Sequence, residues 1–297
     1  MTPLLKLHLF QPSAVARQWS LLGRASMGVY RDGGLSVAKG VAYSSLLAFF
    51  PVLTTLAAIL AQAQAEAVSR TIARLLYDVV PPGTDDVVKT LFAIHGQRPK
   101  WLLIPAIVLA AWAASGAIIS LMEGFRAVYR TTDTRSFVRE RLLAMLLVVT
   151  CALPVLGASA LIVSGRRAER WLIGWIGLTG ASADLKGWVL LAGIVLRFVL
   201  AFGAIVLASA LLYYAAPERK QKFHQVLPGA TLATVLWLLA TLAFGWYVRY
   251  VVNYNVLYGG VGAGLALLVW MYVLAVILML GCEYNAEREK MQLHGEA

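Results

Sequence analysis

Six long apolar blocks run through this chain, each exceeding the ~18 residues that mark a membrane span, and the short stretches between them hold nearly all of its charge. Inside a bilayer every backbone N–H and C=O has to be satisfied within the segment, so blocks of this length are expected to fold as helices. The expected spans cover residues 36–62, 101–121, 141–163, 188–214, 226–250 and 259–284. Composition points the same way: 60% of residues are hydrophobic and 14% charged, against roughly 25% charged in a soluble domain. The expected class is therefore an all-α membrane protein, a six-transmembrane-helix bundle with an N-terminal interfacial amphipathic helix and a small helical extramembrane cap.

The polar segments divide the chain further. Residues 1–35 form an arm in which Arg17, Arg24 and Arg31 recur every seven positions, opposite Val15, Trp19, Leu22, Val29 and Tyr30. That pattern suits a helix lying in the headgroup plane with its arginines toward anionic lipid. Residues 36–285 are the membrane domain, residues 63–100 within it the cap, and residues 286–297 a short tail. Trp171, Trp175 and Trp188 suggest an interfacial segment between the third and fourth spans. No cleavable leader is expected, because MTPLLKLHLF is too short an apolar run.

Fifteen Lys and Arg residues fall on the side of the termini and ten on the other, a bias that places both termini in the cytoplasm. The net charge of +11 sits at the ends of apolar blocks rather than on one aromatic-studded face, which argues for headgroup contact and against nucleic-acid binding. Cys151 and Cys282 lie inside apolar blocks and read as small buried hydrophobes.

Three strings carry a likeness to a known family: AYSSLLAFFPVLTTL, WAASGAIISLMEGFRAVYR and NYNVLYGGVGAGLALLVWMYVLAVILMLGCEYNAE. Together they resemble the YihY/BrkB family of bacterial inner-membrane proteins, most specifically in the last string, which ends on Gly281, Glu283 and Asn285. The resemblance implies a six-helix inner-membrane protein with cytoplasmic termini. It also brings a ribonuclease name, which the residues do not support. A metal-dependent nuclease needs clustered His and Asp ligands, whereas His8, His95, His224 and His294 lie on separate segments.

No catalytic set, metal site or cofactor is expected, since the chain has no P-loop, strand-borne GxGxxG or Ser-His-Asp arrangement. Arg197 lies about ten residues inside the fourth block, so it either snorkels or serves as a binding group. Asn253, Tyr254 and Asn255 add polar groups before the sixth span. Lys39, Glu123, Arg126 and Glu283, with Asn285, lie at cytoplasmic helix ends, where they are expected to pair and fix packing or to act as a gate. Pro51 and Pro154 are expected to kink their spans, and Gly260 and Gly264 to bring helices close as a small-xxx-small pair. Three functions fit this inventory: a carrier or flippase of a lipid-like or small amphiphilic substrate, a structural component of envelope machinery, and a membrane enzyme. The first is favoured by the kinked spans, the intramembrane arginine and the missing enzyme constellation.

Overall fold

A computed structural model describes residues 14–62, 103–132, 135–175, 183–250 and 259–293. Among the described residues are seven helices: α1 (Ala14–Arg31), α2 (Gly34–Gln62), α3 (Leu103–Tyr129), α4 (Phe137–Trp175), α5 (Ala183–Ala215), α6 (Phe223–Tyr250) and α7 (Gly259–Leu293). Six of them, α2 to α7, are long and apolar enough to cross a membrane. The cap and the segment bearing Asn253, Tyr254 and Asn255 lie outside the described residues.

Local chemistry accounts for the helix ends. Between α1 and α2 the chain turns at Gly33, whose φ of 72° suits a residue without Cβ, while the Asp32 amide still donates to the Gly28 carbonyl at 2.8 Å. Helix α2 runs unbroken through Pro51 and α4 through Pro154. Helix α4 also continues to Trp175 beyond the expected end at residue 163, carrying Arg166, Arg167 and Arg170. Charge ends a membrane crossing, but it does not end a helix.

Each span packs against its neighbours in sequence, and α7 returns to α2 to close the ring, with a further contact from α7 to α3. Helix α1 lies against α7 through Leu21 and Ala25, which meet Tyr284 and Met291. Its expected apolar face is thus divided. Val29 joins the core, whereas Trp19, Met27 and Tyr30 remain exposed.

The buried core is unevenly distributed along the bundle. It is built from the end of α3 (Leu121 to Val128), the start of α4 (Ala144, Leu147), the end of α5 (Ala210 to Ala216), the start of α6 (Val226 to Ala233) and the later part of α7 (Ala275 to Ala286). All of these lie at the end that carries α1 and the last turns of α7, the inner end. Toward the other end packing thins: in residues 191–200 of α5 only Gly193 and Arg197 are partly covered, and the other eight are exposed. Exposure on every side of a helix means that this stretch touches its neighbours along a single narrow stripe.

Candidate functional site

The inner end is closed by contacts that need particular residues. Gly281 and Asn285, four apart on α7, share one helix face and meet α6 at Gly229. There the Asn285 Oδ1 accepts from the Gly229 amide at 2.8 Å, and its Nδ2 donates to the Val226 carbonyl at 3.1 Å. The backbones approach so closely that a Cβ on Gly229 would overlap the Gly281 carbonyl oxygen. From α5, the buried Tyr213 hydroxyl donates to the Leu278 carbonyl at 2.7 Å and its ring meets Phe125 edge-on with centroids 5.4 Å apart. On α3, Gly124 admits Val37 and Met279, whose Cγ1 and Sδ would come within 2.7 and 2.8 Å of an added Cβ. In lipid, helix association depends on such close packing and on interhelical hydrogen bonds rather than on the hydrophobic effect.

Glu283 occupies another face of the same turns. It is 1% exposed, and its carboxyl lies within hydrogen-bonding reach of a second acid, Asp32. It lies under Gly28 of α1, where an added Cβ would come within 2.6 Å of Oε2. Charged groups acting on it are Asp32, in the turn after α1, and Lys290 and Glu287 of its own helix. One residue along, the Tyr284 hydroxyl donates to the Gln18 side-chain carbonyl. Helix α1 is therefore seated on α7 over a buried acid.

The expected rim pairing is corrected here. Arg126 binds Glu140 at the start of α4 at 2.6 Å, both side chains largely buried, rather than Glu283. Lys39 and Glu123 are exposed, and neither forms an ion pair with Glu283. The reason is helical phase. Lys39 follows the buried Ala38, and Glu123 falls between the buried Met122 and Gly124, so each points off the face that its neighbours bury. Gly264 is corrected too: it has nothing within 4 Å of an added Cβ, although Ala266 and Leu267 close by are buried, so it lies off the face of α7 that packs. Gly260 lies in the first turn of α7.

Arg197 lies six residues inside the apolar window Leu191–Ala215, about 9 Å along the helix, as far from the middle of the window as from its outer end. Its Nε donates to the Gly193 carbonyl of its own helix at 3.4 Å. A second arginine reaches inward unanticipated. Arg141, at the start of α4, donates to the Trp112 carbonyl at 3.0 Å, and its guanidinium lies 4.0 Å from the centroid of the Trp112 ring. The signal for it was a tryptophan well inside a span, offering a cation–π face.

At the inner rim, Arg219 of the α5–α6 loop binds both oxygens of Glu289 at 2.6 and 2.7 Å and lies over the Tyr129 ring at 4.3 Å. Next to this pair is a small polar cavity between the start of α6 and the last turns of α7. Cys282 is buried, Cys151 is half-buried, and both are free thiols. Among the described residues no three His, Cys, Asp or Glu side chains converge as a metal site. Of the histidines only His224 is described.

Comparison with known proteins places the chain among membrane proteins of bacteria. The family model described as Virulence factor BrkB matches residues 26–296. The chain is 28% identical over 257 residues to the ribonuclease-like protein YfkH of Bacillus subtilis, covering 85% of this chain and 89% of that protein. It is 26% identical over 258 residues to the UPF0761 membrane protein RC1_0578 of Rhodospirillum centenum, covering 86% of this chain but only 54% of that longer protein. A UPF0761 membrane protein of Tolumonas auensis is 24% identical over 267 residues, covering 90% and 84%. No solved structure gives a significant match.

Proposed function

The chain belongs to the BrkB family of polytopic membrane proteins, and on that premise we propose that it is a carrier of a lipid-like, anionic amphiphile in the bacterial inner membrane. Both termini and the inner end of the bundle face the cytoplasm in this reading, following the distribution of Lys and Arg. The observation that carries it is the uneven packing. Spans α5, α6 and α7 interlock through Tyr213, Gly229, Gly281 and Asn285 at one end, while residues 191–200 of α5 are exposed on nearly all sides at the other. A bundle sealed at one end and loose at the other is one of the two states that alternating access requires.

Arg197 lies in the loose part. An arginine there is costly unless water, an acid or backbone carbonyls surround it, and a planar guanidinium among exposed Leu196, Phe198 and Val199 suits an anionic headgroup attached to an apolar tail. Asn253, Tyr254 and Asn255 are the proposed polar companions of Arg197. Glu283, where α1 rests on α7, is the proposed gating carboxyl. A scaffold role is the second reading, favoured by the α2–α3 interface, where Gly40 meets Ser120 and Gly116 meets Ser44 at ordinary contact distance along a tight, dry stripe. No nuclease chemistry is assigned, because the ribonuclease-like name belongs to a relative and the histidines of this chain are spread over separate segments.

The test is Arg197→Lys and Arg197→Leu in a strain lacking the protein. A binding arginine makes both variants insert normally and fail to complement, because lysine keeps the charge but loses the fork. Full complementation by either would remove Arg197 from the carrier mechanism.

A further inference from the structure

The cavity at the inner rim has a volume of about 60 Å³, room for several waters or for one phosphate-sized group. What lines it is unequally engaged. Glu289 is neutralised by Arg219, Asn285 is spent on α6, and the Gln221 amide nitrogen donates to the Tyr213 carbonyl at 2.6 Å. The Gln225 Oε1 accepts from the Lys222 amide at 2.9 Å, which leaves its Nε2 free to donate. Arg288, His224 and Gln292 also line the cavity and form no hydrogen bond or ion pair among the described residues. Once the Arg219–Glu289 pair cancels, the guanidinium of Arg288 is the uncompensated charge of this cavity. Lys220 and Lys222 stand on the adjoining loop and add to its positive potential.

We propose that this cavity binds the phosphate group of a phosphate ester, with Arg288 as the anchoring cation and the Gln225 and Gln292 amides and the His224 ring as neutral donors. The spare groups are mostly donors, which selects an anion over a cation, and a guanidinium fork matches two phosphate oxygens at once. The site is separate from Arg197, at the opposite end of the bundle, and does not depend on transport. Its ligand is either a soluble phosphate ester or a lipid headgroup, since the chemistry at the cavity is the same.

The experiment uses the full chain in nanodiscs. In discs of phosphatidylcholine alone, glycerol 3-phosphate is titrated at constant ionic strength, and binding is read from the 31P spectrum and from the thermal midpoint, which a ligand of the native state raises. A parallel set of discs contains phosphatidic acid. Saturable binding in the first arm assigns a soluble ligand, and binding only in the second assigns a lipid headgroup. In whichever arm binds, Arg288→Gln weakens the affinity by about tenfold or more, the scale of a lost charge-assisted hydrogen bond. Gln292→Glu, which replaces a donor amide with a carboxylate that repels the phosphate, weakens it likewise even if Arg288→Gln fails to fold. Lys290→Gln, which alters the exposed partner of Glu287, leaves affinity unchanged. Absence of saturable binding in both arms overturns the proposal, as does affinity that survives Gln292→Glu or falls equally with Lys290→Gln.

Discussion

Replacing Gly229 with alanine puts a methyl group where α6 and α7 touch backbone to backbone. The new Cβ overlaps the Gly281 carbonyl oxygen and comes within 2.5 Å of the Asn285 Cγ, so the helices have to part by roughly 1 Å to restore normal contact. Two costs follow. Overpacking in a closed core is worth about 1–3 kcal/mol, and parting the helices breaks the buried bonds from Asn285 to Gly229 and Val226, leaving unsatisfied groups worth about 1–3 kcal/mol more. The expected loss is about 2–6 kcal/mol, read as a fall in thermal midpoint of the purified protein in detergent. Gly203→Ala is the control: it is also helical, nothing lies within 4 Å of its Cβ, and it should cost nothing. Removing the amide as well, in Gly229→Ala with Asn285→Ala, should not rescue the protein, because the Gly281 carbonyl remains in the way. A Gly229→Ala protein as stable as Gly203→Ala would refute this account of the inner seal.

Other expectations are shorter to state. Glu283→Gln should leave the thermal midpoint unchanged or raise it, since the amide removes the repulsion between two buried acids and can still donate to Asp32; a clear drop would reveal a cation partner. Arg126→Glu should destabilise by about 3–5 kcal/mol, the scale of a broken buried pair, and adding Glu140→Arg should recover much of that loss in the same melting assay. For topology, reporter fusions after Ala297 and within residues 215–225 are expected to read cytoplasmic and those within residues 80–95 external; the reverse pattern would invert the charge argument.

The six spans were legible because length and apolarity alone specify a bilayer helix. Specific partners were not. The rim carries both signs of charge on several elements, so nothing in the order of residues indicated that Arg126 would choose Glu140, fourteen positions on, over Glu283. Small residues were ambiguous for a related reason. Gly264 and Gly281 look alike in an apolar block, but only Gly281 faces a neighbouring backbone, and that depends on how α7 is rotated against α6. The block ending in Gly281, Glu283 and Asn285 was the most informative part of the sequence. Even so, its division of labour needed the helix faces: Gly281 and Asn285 toward α6, Glu283 toward α1. The polar cavity was not foreseen at all, because its lining comes from a loop, a helix start and a helix end that are far apart in the chain.

Closure of the ring by α7 has a consequence for biosynthesis. Spans enter the membrane in order, and from α2 to α6 each newcomer finds its predecessor already in place. The arm before the first span, and the face of that span which α3 leaves uncovered, have to wait, because their partner surface on α7 is translated after the other five spans. Until residue 259 and beyond leave the ribosome, α1 has no seat for Leu21 and Ala25, and α6 presents the notch at Gly229 unfilled. An arrested chain therefore advertises its incompleteness at its oldest segment as well as its newest, which makes the inner rim a natural place for membrane quality control to tell a finished molecule from a fragment.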